Sequence, residues 1–92
     1  MRKLYIIILN PNVDASSIIR RRIIESGSCY VVYNNQYLLI ANYSNAHDLY
    51  NHLTRNEDNS VGIVIFETSI EDLTYWGYSD KGLWSWLAEN VQ

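Results

Sequence analysis

Apolar residues fall along this chain in four short runs separated by two helically spaced segments. The first run, Leu4-Tyr5-Ile6-Ile7-Ile8-Leu9, is closed by Asn10-Pro11-Asn12. Six uncharged residues rich in β-branched types and stopped by turn formers predict a strand buried on both faces, in the middle of a sheet. Cys29-Tyr30-Val31-Val32-Tyr33 and Gln36-Tyr37-Leu38-Leu39-Ile40-Ala41 are two more such runs, joined by Asn34-Asn35. Asparagine tolerates positive φ, so this pair predicts a hairpin turn. The unbroken apolar character of 36–41 predicts a second central strand. Val61-Gly62-Ile63-Val64-Ile65-Phe66 is the fourth, again apolar on both faces.

Between these runs the period changes. Ala15, Ile18, Ile19 and Ile23 share one face at 100° per residue, predicting a helix over roughly 14–26. Asp14 is the expected cap, with Val13 stapling the first turn and Gly27 the expected left-handed stop. Ile24 falls on the opposite side and must be exposed or meet another chain. Ala46, Leu49, Tyr50 and Leu53 mark a second helix with Ser44 as its cap, and 55–60 is a polar loop. After an aromatic, irregular stretch over 70–78, Ser79-Asp80 caps a short helix from Lys81 to about Asn90. All three tryptophans lie in this tail, so it should be docked.

The order strand, helix, strand, strand, helix, strand, helix predicts an α+β, ferredoxin-like β-α-β-β-α-β sandwich with a short C-terminal helix. Residues 1–92 form a single domain on this reading. The two main helices of such a fold cover one face of the sheet. Strands one and four are apolar on both faces, so the other face needs the tail or a second copy over it. A chain of 92 residues is also short of core, which favours a homodimer using both.

Composition narrows the classes. Only 18% of residues are charged while 48% are hydrophobic, which describes a globular chain. The net charge of −3 gives no general attraction to nucleic acid or anionic membrane. A single cysteine, Cys29, cannot form an internal disulfide and suits a reducing cytosol. The apolar run after Met1-Arg2-Lys3 is too short for a signal core or a membrane span. A soluble, cytoplasmic protein is expected, with no membrane contact.

Candidate chemistry is sparse. The end of the first strand is where a site would lie, and Asn10 stands there, with Asp14 four residues on. The simpler roles are turn capping by Asn10 and helix capping by Asp14. Glu67 ends the fourth strand, and Glu71-Asp72, as neighbours, point apart and read as surface acids. His47 and His52 are five apart, about 140° from each other on a helix, so they make no ligand pair; His52 can reach Asp48. Cys29 lacks an activating neighbour. Arg20-Arg21-Arg22 is the one basic cluster, a candidate nucleic-acid contact. Consecutive helical residues fan out, however, and Arg22 must snorkel past the apolar arc or pair with an acid. Tyr30, Tyr33, Tyr37, Tyr43, Tyr75 and Tyr78 suit core and interface packing better than base stacking, because strands two and three carry no basic residue.

Tyr5 to Asn10, Gly27 to Tyr30, Asn35 to Leu39 and Trp76 through Leu87 resemble the SinR-like family of small bacterial and phage proteins. That family is related in fold to the CRISPR-associated endoribonuclease of the spacer-adaptation complex. The resemblance implies a ferredoxin-like protomer in a symmetric dimer. It also implies, in nuclease members, an aspartate at the end of the first strand that helps hold a divalent metal. The family's Tyr-Asp pair is matched here by Leu9-Asn10. A neutral carboxamide is a much poorer Mg²⁺ ligand than a carboxylate.

The leading expectation is therefore a non-catalytic homodimer that acts through a protein partner, in a defence, toxin–antitoxin or mobile-element setting implied by the resemblance. It has no cofactor, no metal site and no firm catalytic residue. The first alternative is a metal-dependent endoribonuclease with Asn10 and Asp14 near its site, using Mg²⁺ or Mn²⁺. The second is a nucleic-acid-binding dimer without hydrolysis, through Arg20, Arg21 and Arg22.

Overall fold

The computed structural model describes residues 2–10, 12, 16–57 and 62–91. Its elements, in chain order, are β1 (Lys3–Leu9), α1 (Ser16–Glu25), β2 (Ser28–Tyr33), β3 (Gln36–Ala41), α2 (Ala46–Thr54), β4 (Ile63–Ser69) and α3 (Lys81–Val91). The strands form one sheet in the order β2-β3-β1-β4, with every neighbouring pair antiparallel. The described residues thus form an α+β protein built on a four-stranded antiparallel sheet with three helices. The two most continuously apolar runs, β1 and β3, occupy the centre as the pattern predicts.

Alternation along each strand sorts the side chains between two faces. Tyr5, Ile7 and Leu9 of β1 join Tyr37, Leu39 and Ala41 of β3 in one buried cluster. Over them lie Ile19 and Ile23 of α1 and Leu49 and Leu53 of α2. Ile24 is exposed, as its position on the helical wheel requires, but Ile18, expected on the buried face, is 37% exposed and lies outside the core cluster. Asp80 caps α3, accepting from the Leu83 amide at 3.2 Å, as expected from the sequence.

Several local expectations need correction. The cap of α2 is Asn45, not Ser44: its Oδ1 accepts from the Asp48 amide at 2.9 Å, while the Ser44 carbonyl binds Lys3. Gly27 is not a left-handed stop, because no described glycine has positive φ. It is small because a Cβ there would collide with the backbone carbonyl of Ile40 on β3. The Asn34-Asn35 turn forms without positive φ at either residue, and the β2–β3 register shifts just before it, between Val31 and Tyr33. β4 runs on to Ser69, so Glu67 lies within it. The expected cap Asp14, Val13, Ala15, the loop's end at 58–60 and Val61, the expected start of the fourth strand, lie outside the described residues.

Candidate functional site

The second face of the sheet carries Leu4, Ile6 and Ile8 of β1, Leu38 and Ile40 of β3, and Val64 and Phe66 of β4. Register sets Ile8 beside Val64 and Ile6 beside Phe66. Not one of these side chains is charged. The tail covers half of this face. α3 packs along β2 and brings Leu83 and Leu87 down on Leu4, Ile6 and Leu38, so that Leu4 and Ile40 are sealed.

Polar contacts hold α3 in place. The Tyr30 hydroxyl donates to the Asp80 carboxylate at 3.0 Å, and the Tyr30 ring lies 6.0 Å from that of Trp86. The Ser28 hydroxyl donates to the Asn90 side-chain oxygen at 2.9 Å, and the Asn90 amide donates to the Trp86 carbonyl at 2.8 Å. Burial and the Asp80 carboxylate together push the Tyr30 hydroxyl's pKa up. Docking of the tail is therefore a finding for Trp84 and Trp86, which are half-buried. It fails for Trp76.

The uncovered half lies toward β4. Ile8 is 38% exposed, Val64 51% and Phe66 55%. Among the described residues β4 is also an edge strand, with β1 on one side and no strand on the other. Beside this patch runs the segment from Leu73 to Tyr78, which spans the gap between β4 and α3. Tyr75 stacks on Trp84 at 6.1 Å, while Trp76 is 100% and Tyr78 99% exposed. Leu4, Ile6, Leu38, Leu73, Tyr75 and Trp84 line an apolar cavity of about 210 Å³ under this segment. The segment from Leu73 to Trp76 thus lies on the face that carries the bare sheet surface, and Tyr78 follows two residues on, equally unshielded. Monomeric proteins rarely leave such surfaces to water.

The end of β1 is a turn. Asn10 Oδ1 accepts from the Asn12 amide at 3.0 Å, and the Asn10 amide donates to the Gly62 carbonyl at 2.7 Å. That is the Asx-turn role, which engages the oxygen a cation would need. Asp14 lies outside the described residues. Among the described residues, no group of three or more His, Cys, Asp or Glu could hold a metal ion.

The three arginines separate. Arg21 is exposed and faces Glu25 at 3.7 Å. Arg20 is half-buried, and its enclosed Nε has no hydrogen-bond partner among the described residues. Arg22 reaches across to α2, where Nη1 donates to the carbonyls of Leu53 and Arg55 at 2.9 Å each, and Nη2 lies 3.6 Å from Glu57. Of the three, only Arg21 is fully presented to solvent.

The remaining candidates are structural. Burial pushes the Cys29 thiol up to about 11, so it is protonated at neutral pH. His52 does not meet Asp48 in any described hydrogen bond. It lies 5.6 Å from the Tyr43 ring and within 3.0 Å of the Arg55 guanidinium. Burial, Arg55 and Arg22 hold its pKa below the usual histidine range.

One junction escaped the sequence reading. Glu67 Oε1 accepts the Ala46 amide at 2.8 Å at the start of α2, and Oε2 accepts from Lys3 at 2.9 Å. The Lys3 hydrogen bond and the Ala46 amide hold the Glu67 carboxyl below its usual range. A lone acid in an apolar strand was the only available signal.

Among the described residues, no helix is long and apolar enough to cross a membrane. Comparisons with protein-family models, curated proteins and solved structures found no match to this chain.

Proposed function

We propose that this chain is a non-catalytic, homodimeric interaction or regulatory protein of ferredoxin-like fold. The sheet order, with β3 inserted between β2 and β1, agrees with the split β-α-β arrangement of that fold. The observation that carries the functional reading is the uncharged surface of Ile8, Val64 and Phe66 beside the exposed Trp76 and Tyr78. Surfaces of this composition belong to binding sites: aromatic residues are enriched and charges depleted at interface cores. The non-catalytic part rests on the groups available for chemistry. Asn10 is engaged in its turn, the Cys29 thiol is held protonated, and the His52 ring lies against Arg55. A setting in bacterial or phage defence, toxin–antitoxin or mobile-element biology rests on the SinR-like resemblance, while the cytoplasmic location rests on the lone Cys29, which cannot form an internal disulfide.

The test has two arms. Light scattering at micromolar concentration is expected to give twice the chain mass, and a monomer would refute the dimer. Labelled RNA incubated with Mg²⁺ or Mn²⁺ is expected to stay intact. Cleavage that survives repurification and disappears in Asn10→Ala would instead establish the endoribonuclease alternative.

A further inference from the structure

The uncovered half-face and the exposed aromatic segment have a specific geometric relation. Ile8, Val64 and Phe66 lie on the second face of the sheet. The segment carrying Trp76 and Tyr78 crosses that same face, since Leu73 and Tyr75 share a cavity with Leu4, Ile6 and Leu38. It is held at both ends. The Ser69 hydroxyl donates to the Asp72 carboxylate at 2.7 Å at one end, and Asp80 accepts from Tyr30 at the other. A receptor surface and a ligand-like arm therefore sit side by side, each in a fixed place.

We infer that the occupant of this face is a second copy of the chain, with the 73–78 arm of each protomer lying across Ile8, Val64 and Phe66 of the other. The inference rests on the homodimer reading above and adds its surface and symmetry. Two-fold interfaces require that what one protomer offers, the other receives. A two-fold axis lying in the interface between arm and patch brings both arms onto both patches at once.

Charge and area agree. The chain carries a net charge of −3, yet neither Leu73-Thr74-Tyr75-Trp76-Gly77-Tyr78 nor the patch contains a charged residue, so like charges do not face each other. Two fully exposed large aromatics can each bury about 150–250 Å². With the open halves of Phe66, Val64 and Ile8, this reaches roughly 500–700 Å² per protomer. A standard interface buries about 800 Å² per partner, so a reversible dimer is within reach.

The experiment uses two variants whose altered side chains are exposed, Trp76→Ala and Phe66→Glu, with circular dichroism confirming that both fold. Association is measured by sedimentation equilibrium for the wild type, for each variant alone, and for an equal mixture. The wild type should dimerise, and each variant should associate more weakly by about tenfold or more for each lost contact. In the mixture, the intact arm of Phe66→Glu meets the intact patch of Trp76→Ala, restoring one full contact. Mixed dimers should therefore form about tenfold or more tightly than either variant with itself. A wild-type monomer would overturn this inference together with the homodimer reading. Variants that pair like the wild type would overturn the proposed surface while leaving a dimer intact. Weak variants that fail to rescue each other would overturn the reciprocal arrangement.

Discussion

Leu87→Ala tests whether α3 is a working part of the core. Leu87 is 3% exposed and seats on the second face of the sheet beside Leu4, Ile6 and Leu38. The substitution removes three carbons from an apolar contact, which is about 2.4 kcal/mol of transfer free energy at ~0.8 kcal/mol per methylene. A sealed void would add to this, and buried Leu→Ala changes span about 2–5 kcal/mol. Here the neighbouring cavity of about 210 Å³ gives the site room to relax, so the expected loss is at the low end, about 2–3 kcal/mol. Domains of this size have stabilities of about 5–14 kcal/mol, so the change is a large fraction of the whole. It should lower the melting temperature by about 10–20 °C. Urea unfolding followed by far-ultraviolet circular dichroism gives the number, with two protein concentrations separating folding from association. Ile24→Ala, at a position 55% exposed, serves as the control and should cost less than about 1 kcal/mol. A loss below about 1 kcal/mol in Leu87→Ala would mean that α3 does not seal the sheet, and the account of its covered half would fall.

Gly27→Ala should destabilise by about 1–3 kcal/mol or more, because its Cβ meets the Ile40 carbonyl, a backbone atom fixed in the β2–β3 ladder; an unchanged urea midpoint would refute this. Glu67 is held below the usual carboxyl range, so the stability it contributes is present above that range. This contribution is lost as pH falls through the depressed value. Glu67→Gln should flatten the acid side of a stability–pH profile, and a variant curve parallel to the wild type would contradict the assignment. His52 is also depressed, so the unfolded chain takes up its proton first. Stability should climb as pH rises from the depressed value toward the ordinary 6.5 and level off above it. His52→Gln should remove that rise, read by melting temperature across the same range.

Much of the fold is legible in the sequence because its strongest signals are periodic. The run Leu4 to Leu9 announces a central strand, and the spacing of Leu49 and Leu53 announces a buried helix face. Short-range competition is harder to read. Ser44 and Asn45 are both good caps by residue type, and only the fold shows that the Asn45 side chain takes the Asp48 amide while the Ser44 carbonyl takes Lys3. The demand for a glycine at 27 comes from Ile40 on another strand, which no local pattern records. Trp76 shows the limit of composition. Three tryptophans close together imply burial, yet burial depends on which way a ring points from an irregular segment, and Trp76 points outward. The end of β1 was readable as a turn from Asn10-Pro11-Asn12, and the hydrogen bond from the Asn12 amide bears out that capping role. Arg22 is expected from the sequence to snorkel past the apolar arc or pair with an acid, and Glu57 at 3.6 Å is such an acid, but the hydrogen bonds from Arg22 to the Leu53 and Arg55 carbonyls are not legible there.

Those Arg22 contacts carry a consequence for how the chain folds. The last carbonyls of an isolated helix are left to water and fray. At the end of α2 the carbonyls of Leu53, in its last turn, and of Arg55, just past it, are tied down by a guanidinium that belongs to α1. The final turn of one helix therefore cannot reach its native stability until the other has docked, and a segment excised alone lacks that support. Arg22, thirty-one residues from Leu53, thus adds a polar tie to the apolar contacts that already join the two helices. In hydrogen exchange the end of α2 should open together with α1, as one cooperative unit rather than as a loose terminus.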